Sequence, residues 1–233
     1  MSPTYYAIGD VHGEEFRLQL LHALILADID RIGAPAKIVH VGDYVDRGHD
    51  SRGVIARVKT LCDERGAIAL LGNHEQMMLN AYDRAGDSSE GMWDWNGGDA
   101  TLRSYEEANG KHDDWRNAID KDHIKWMRSL PTIFADEARK IAFVHAGIDP
   151  ETFPNCSDEI RIWTRSDRFL HTWRWPKRAE LKDWLIVHGH TPNDELSIEV
   201  KPQRINIDTG AVYGGALTCV VLAEGEEPRF IQT

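Results

Sequence analysis

The stretch "TYYAIGDVHGEEFRLQLLHALILAD", residues 4–28, decides the fold. It opens on a short apolar run and passes a polar turn bracketed by glycines. It then continues with apolar residues three and four apart. A short apolar run followed by that spacing reads as a strand feeding a helix. The pattern returns twice. "AKIVHVGD" (36–43) leads to helical "SRGVIARVKTLCDERG" (51–66), stopped by Gly66, and "AIALLGN" (67–73) leads to helical "HEQMMLNAYDRAG" (74–86), stopped by Gly86. A β-α-β-α-β-α order predicts a largely parallel sheet covered by helices. In each unit the polar residues gather just past the carboxyl end of the strand, the edge where open α/β sheets bind ligands.

The middle of the chain, residues 87–130, is rich in Gly, Asp, Asn and Trp, with weaker helical patterns such as "DHIKWMRSL". It reads as a helical insertion over the strand ends, within one domain spanning residues 1–233. From Thr132 short strand patterns take over: "TIFAD", "KIAFVHAG", "DWLIVHGHT", "LSIEV", "RINIDTG", "ALTCVVLA" and "RFIQT". They predict a mostly antiparallel second sheet. The expected fold class is therefore α/β.

At 233 residues, with 42% hydrophobic and 28% charged residues, the chain can bury one sizeable core. The formal net charge of -11 argues against duplex nucleic acid as a partner, since phosphate contacts need Lys and Arg. No run of about 18 apolar residues predicts a membrane span. A strand starting at Thr4 leaves no room for a leader. Cys62, Cys156 and Cys219 are odd in number and scattered, which points to core packing in a reducing cytoplasm. None has an Arg six residues on, so a cysteine-phosphatase loop is excluded.

The polar clusters carry the chemistry. Strand residues two apart face one side, so Asp10 and His12 are expected to aim at one point. Asp43, the Asn73–His74 pair, His145 and His190 sit beside glycines in four further segments of the same kind. A mixed imidazole, carboxylate and amide set suits Mn, Fe or Zn. It holds too many donors for one tetrahedral ion and enough for two.

Together "GDVHG", "GDYVDRG", "GNHE", "VHAG" and "GHTP" resemble the calcineurin-like metallophosphoesterases, in the phosphoprotein phosphatase branch. "GNHEQMM", "WNGGDAT", "IWTRS" and "IDTGAVYGGALT" are similar to the small phage and bacterial Ser/Thr phosphatases. The resemblance runs from Asp10 to about Leu222. It implies a metallophosphoesterase-type β-sandwich of mixed sheets flanked by helices, with two divalent metal ions, Mn foremost and Fe or Zn as alternatives. Asp10 and His12 would hold one ion, Asp43 would bridge, and Asn73, His145 and His190 would complete the second. His74 would be the general acid and Asp46 its partner. Arg47 and Arg165 would grip the phosphate.

The resemblance implies hydrolysis of phosphoserine and phosphothreonine, with phosphotyrosine and aryl phosphates as further candidates, by direct attack of a metal-bridging hydroxide. The substrate is then a phosphorylated protein or a small phosphoester. Hydrolysis of dinucleoside tetraphosphates or other nucleotides is the enzymatic alternative. An inactive phosphoprotein-binding module is the alternative of another class. The chain ends about ten residues past its last matching motif, so no regulatory subunit or autoinhibitory tail is expected. Of "HGHT", the family pattern selects His190 over His188. His40 is read as a packed core histidine. Asn96 and Asp99 of "WNGGD" are candidates for shaping the substrate mouth.

Overall fold

The computed structural model describes residues 2–84 and 86–233. The three opening units form as the pattern predicts. Strands β1 (Thr4–Ile8), β2 (Ala36–His40) and β3 (Ile68–Ala69) alternate with helices α1 (Glu15–Ile32), α2 (Ser51–Arg65) and α3 (Asn73–Asp83). β1 pairs parallel with β2, and β2 with β3. α2 stops at Gly66, whose left-handed backbone turns its N–H onto Cys62 and Leu61 carbonyls. α3 ends at Asp83, short of Gly86. β3 is only two residues long, since Leu71 donates to the Pro131 carbonyl instead of continuing the ladder.

The expected insertion consists of helices α4 (Ser88–Trp93), α5 (Asp99–Asn109) and α6 (Lys121–Arg128). Beyond it come β4 (Ile133–Asp136), β5 (Ile141–Val144), short helices α7 (Asp158–Trp163) and α8 (Asp167–Leu170), β6 (Leu185–His188), β7 (Glu199–Lys201), β8 (Arg204–Asn206), β9 (Thr218–Leu222) and β10 (Arg229–Gln232). They build two five-stranded sheets, ordered β10-β9-β1-β2-β3 and β4-β5-β6-β8-β7.

Two sequence expectations are corrected here. The second sheet is mixed: β5, β6 and β8 run parallel, and only the outer strands β4 and β7 are antiparallel to their neighbours. The β5–β6 connection is long enough to carry α7 and α8 across, and a crossover of that kind returns the chain parallel. β9 and β10 leave the second sheet altogether. β9 pairs antiparallel with β1 and carries β10 on its far side.

The central strands β1, β5 and β9 are buried on both faces, and alternation assigns each face. Tyr5 and Ala7 of β1 meet Phe143, Val187 and Ile205 of the opposite sheet in a core between the sheets. Tyr6 and Ile8 face α1 and α2 through Leu18, Leu21, Val54 and Val58. Ala142 and Val144 face Phe153, Phe169 and Trp175 on the outer side. The result is a helix–sheet–sheet–helix stack. β1, β2, β5 and β6 all end at one rim, and the loops leaving them carry the candidate ligands.

Candidate dinuclear metal site

β1 ends at Ile8, so Asp10 and His12 lie in the turn beyond it and not on one strand face. The expectation that strand alternation aligns them does not hold. The turn converges differently: the N–H groups of Val11 and His12 both donate to the Asp43 carbonyl, at 3.0 and 2.9 Å. Five site residues that are not glycine take left-handed backbone here: His12, Asp43, Asp46, Arg47 and His190, with φ between 44° and 73°.

Asp43 is the centre. Its Oδ2 lies 3.4 Å from His12 Nε2 and its Oδ1 3.3 Å from His145 Nε2. Potential ligand atoms fall into two groups, His12–Asp43–His74 and Asp43–His145–His190, the atoms of each lying within 4.8 Å of one another, and the groups share Asp43. Asn73 Oδ1 is 2.8 Å from His145 Nε2, and His190 Nδ1 is 3.2 Å from the same nitrogen. The far nitrogens are committed to backbone: His12 Nδ1 donates to Val45 O at 2.8 Å and His145 Nδ1 to Val41 O at 3.1 Å. Such bonds fix each ring and turn Nε2 toward Asp43, the face a metal would take. Asp10 belongs to neither group. Its Oδ2 accepts the His190 N–H at 2.9 Å, which ties the first turn to the last.

The donor set fits divalent cations. Asp10 Oδ1 and His190 Nε2 are buried without a hydrogen-bond partner, which costs free energy unless a cation takes them. Burial and the neighbouring charges of Asp208 and Asp43 push the Asp10 carboxyl well up. Burial drives His12 down to about 3 and His190 to about 2, which keeps both rings neutral and able to offer a lone pair. Gly72 closes the packing: a Cβ there would stand 2.2 Å from Asp43 Oδ1.

Beside this centre, His74 Nδ1 and Asp46 Oδ2 are 2.6 Å apart and buried. Burial pushes Asp46 up to about 8 and His74 down to about 4. Arg47 Nη1 donates to His12 Nε2 at 2.7 Å, and its guanidinium lies 5.6 Å over the Tyr213 ring. Arg165 is exposed; its charge reaches His74 and His190, lowering both.

His188 turns away from the centre. Its Nδ1 donates to the Gly189 carbonyl at 2.8 Å, and its Nε2 accepts from Nη1 of the buried Arg204 at 2.9 Å. His40 is packed against His22, their Nε2 atoms 3.3 Å apart. Asn96 bonds the Met92 carbonyl and Asp99 pairs with Arg103 at the surface, so neither reaches the site.

Sequence reasoning assigned no role to two buried acids that stand here. Glu75 of "GNHE" accepts four backbone N–H groups, from Gly72, Asp43, Tyr44 and Val45. Asp208 of "IDTG" stands beside Asp10, and burial pushes its carboxyl up to about 6. Asp208 carries the signal used for the others, an acid just past a strand and close to a glycine.

The pattern of the calcineurin-like phosphoesterases matches residues 3–217. The chain belongs to that family. Among curated members of the calcineurin-like phosphoesterases, it is 27% identical to an asymmetrical bis(5'-nucleosyl)-tetraphosphatase of Anoxybacillus flavithermus, covering 95% of this chain and 91% of that protein. It is 30% identical to a symmetrical bis(5'-nucleosyl)-tetraphosphatase of Proteus mirabilis, over 92% and 93% of the two chains. A serine/threonine-protein phosphatase 1 of Salmonella typhimurium is 28% identical over 78% and 76%. A solved structure described as a putative diadenosine tetraphosphatase superposes with a TM-score of 0.66 at 23% identity, over 100% of this chain and 94% of the other, and supports the fold. The family membership makes this a metal-dependent phosphoesterase. Two of these relatives carry names that correspond to the nucleotide alternative, and one carries a name that corresponds to the phosphoprotein reading. No helix among the described residues is long and apolar enough to cross a membrane.

Proposed function

We propose that this phosphoesterase hydrolyses dinucleoside tetraphosphates or closely related nucleotides. The observation that carries this reading is a pair of accessible aromatic rings flanking the centre. Trp163, 39% exposed, stands with its ring centroid 6.5 Å from that of His190, and Tyr213, 57% exposed, lies under Arg47. Base–aromatic stacking contributes roughly 1–3 kcal/mol per base and tolerates any base. A dinucleotide offers two bases joined by a polyanion, which matches two rings around a cationic centre. The names of the relatives agree.

In this reading Asp10, His12, Asp43, Asn73, His145 and His190 hold two divalent cations, Mn foremost. When bound, these ions polarise the phosphoryl oxygens and acidify water. Arg47 and Arg165 supply planar donors to the phosphate oxygens. His74 Nε2 gives its proton to the departing oxygen while Asp46 steadies Nδ1, a contribution of roughly 10²–10⁴-fold. A module that merely bound phosphoproteins would have no use for that buried dyad. The Salmonella relative keeps phosphoserine and phosphothreonine as a second reading.

One experiment separates them. Turnover of diadenosine tetraphosphate is compared with that of phosphoserine, phosphothreonine and phosphotyrosine peptides, for the wild type and for Trp163→Ala and Tyr213→Ala. The dinucleotide should be the better substrate, and each substitution should raise its KM about tenfold while sparing the peptides. Faster peptide turnover, with no effect of either substitution, would overturn the reading.

A further inference from the structure

Asp46 does not hold its place alone. Its Oδ1 accepts the indole N–H of Trp93 at 2.9 Å and the hydroxyl of Thr101 at 2.7 Å. Both donors come from the insertion. The Thr101 hydroxyl oxygen in turn accepts the Asp46 backbone N–H at 2.7 Å, which commits its hydrogen to the carboxylate. Ser51 lies 3.0 Å from the Thr101 hydroxyl and also takes the Asp46 N–H at 3.1 Å. With Oδ1 saturated, Oδ2 is left for His74. Trp93 and Thr101 are both buried, at 4% and 0% exposure, so neither bond competes with water.

The local sequence is built to bring them there. Trp93 closes α4 and Thr101 lies in the first turn of α5, and "DWNGG" (94–98) joins the two. The Gly97 carbonyl accepts the Arg47 N–H at 3.1 Å, which docks this stretch beside "DRG". The Trp93 indole packs against Gly98, where an added Cβ would stand 2.6 Å from ring atoms Cδ2 and Cε2. Any residue but glycine there displaces the ring whose N–H holds Asp46.

We propose that Trp93 and Thr101 are positioning residues for the phosphoester reaction: they anchor one oxygen of Asp46 so that the other fixes His74 with Nε2 aimed at the departing oxygen. The inference rests on the acid role given to His74 above. It assigns the insertion a part in the chemistry beyond covering the strand ends. "WNGGDAT" is then read through Trp93, Gly98 and Thr101, and not through Asn96 or Asp99.

A purely structural role would be to pin the insertion to the core, and the test must tell the two apart. Trp93→Phe keeps an aromatic ring near Trp115, whose centroid is 5.0 Å away, and removes the N–H together with part of the ring volume, so the melting temperature is read beside the kinetics. Thr101→Val keeps the shape and loses the hydroxyl. Each is compared with the wild type and with His74→Asn in the metal-loaded protein. The readouts are kcat and KM on a series of aryl and alkyl phosphates of rising leaving-group basicity, with metal content and melting temperature alongside. In the Zn-loaded protein, the low-field proton resonance of His74 Nδ1–H is followed as well.

Each variant should lose about tenfold in kcat on the most basic leaving groups and little on p-nitrophenyl phosphate, with KM and metal content unchanged. The Nδ1–H resonance should move upfield or broaden. Gly98→Ala should reproduce the Trp93→Phe pattern. Equal losses across the series, an unmoved resonance, or losses that track metal content would overturn the proposal. His74→Asn tests the underlying reading separately: if it shows no leaving-group dependence, the acid assignment fails. If it does and the Trp93 and Thr101 variants do not, only the positioning role fails.

Discussion

Glu75 Oε2 accepts the backbone N–H of Asp43 at 2.9 Å, and so a carboxylate with no place among the ligands holds the loop that presents the central one. Its other oxygen takes Tyr44 N–H at 2.7 Å and Val45 N–H at 3.2 Å. Burial and the charge of Asp43 push this carboxyl up to about 8, while the N–H donors act against that rise. Glu75→Gln should turn an NH2 group onto donors already pointing inward. The expected cost is about 2–4 kcal/mol of stability, together with weaker metal binding. Chemical denaturation and metal titration check this, and an unchanged midpoint would remove Glu75 from the role.

The two histidines of "HGHT" should fail in different ways. His190→Asn should deplete metal and lower turnover on every substrate. His188→Asn should keep the metal but leave Arg204 Nη1 without its acceptor, at a cost of about 1–3 kcal/mol in stability. Metal analysis and melting curves on both variants decide, and metal loss from the His188 variant alone would reverse the assignment. Chelation should abolish turnover, with Mn²⁺ among the ions that restore it.

Arg47→Ala should leave both cations bound and cut kcat/KM by roughly 2–4 kcal/mol, because a charge-assisted contact to phosphate is lost. Steady-state kinetics alongside metal analysis would show it. Full efficiency in the variant would place Arg47 outside substrate contact.

Acid should destabilise the chain through His22 and His40. Burial lowers His22 from 6.5 to about 4 and also holds His40 well below its ordinary value. The unfolded chain therefore binds more protons than the folded one between those limits. Stability is whole above about pH 6.5 and falls as pH drops toward 4, by up to about 1.4 kcal/mol per pH unit for each histidine. His22→Leu should flatten the decline measured by denaturation between pH 6.5 and 5. A slope identical to the wild type would acquit the pair.

The candidate ligands were picked out because each lies within two residues of a glycine just past an apolar run, a local signal that needs no knowledge of partners. Asp43, Asn73, His145 and His190 do converge, although Asp10 and His12 do so through a turn where the sequence suggested a strand. Tertiary pairing was not legible in that way. Nothing within "ALTCVVLA" says that β9 will pair with β1 in the first sheet and not with a strand of the second. Trp93 was hidden for a similar reason. Its bond to Asp46 spans 47 residues, and an indole in a Trp-rich stretch reads as packing until its N–H is seen to have a target.

The left-handed backbone at His12, Asp43, Asp46, Arg47 and His190 limits how this protein could be made more robust. Each such residue costs of order 1 kcal/mol or more relative to a relaxed conformation. Glycine is the usual remedy, and at these five positions glycine would delete a proposed ligand, the proposed partner of His74 or the guanidinium proposed to hold phosphate. Thermostabilising substitutions should therefore be found in the outer helices and sheet edges. A screen for heat resistance that ignores activity should collect glycines at the rim, in proteins that melt later and turn nothing over.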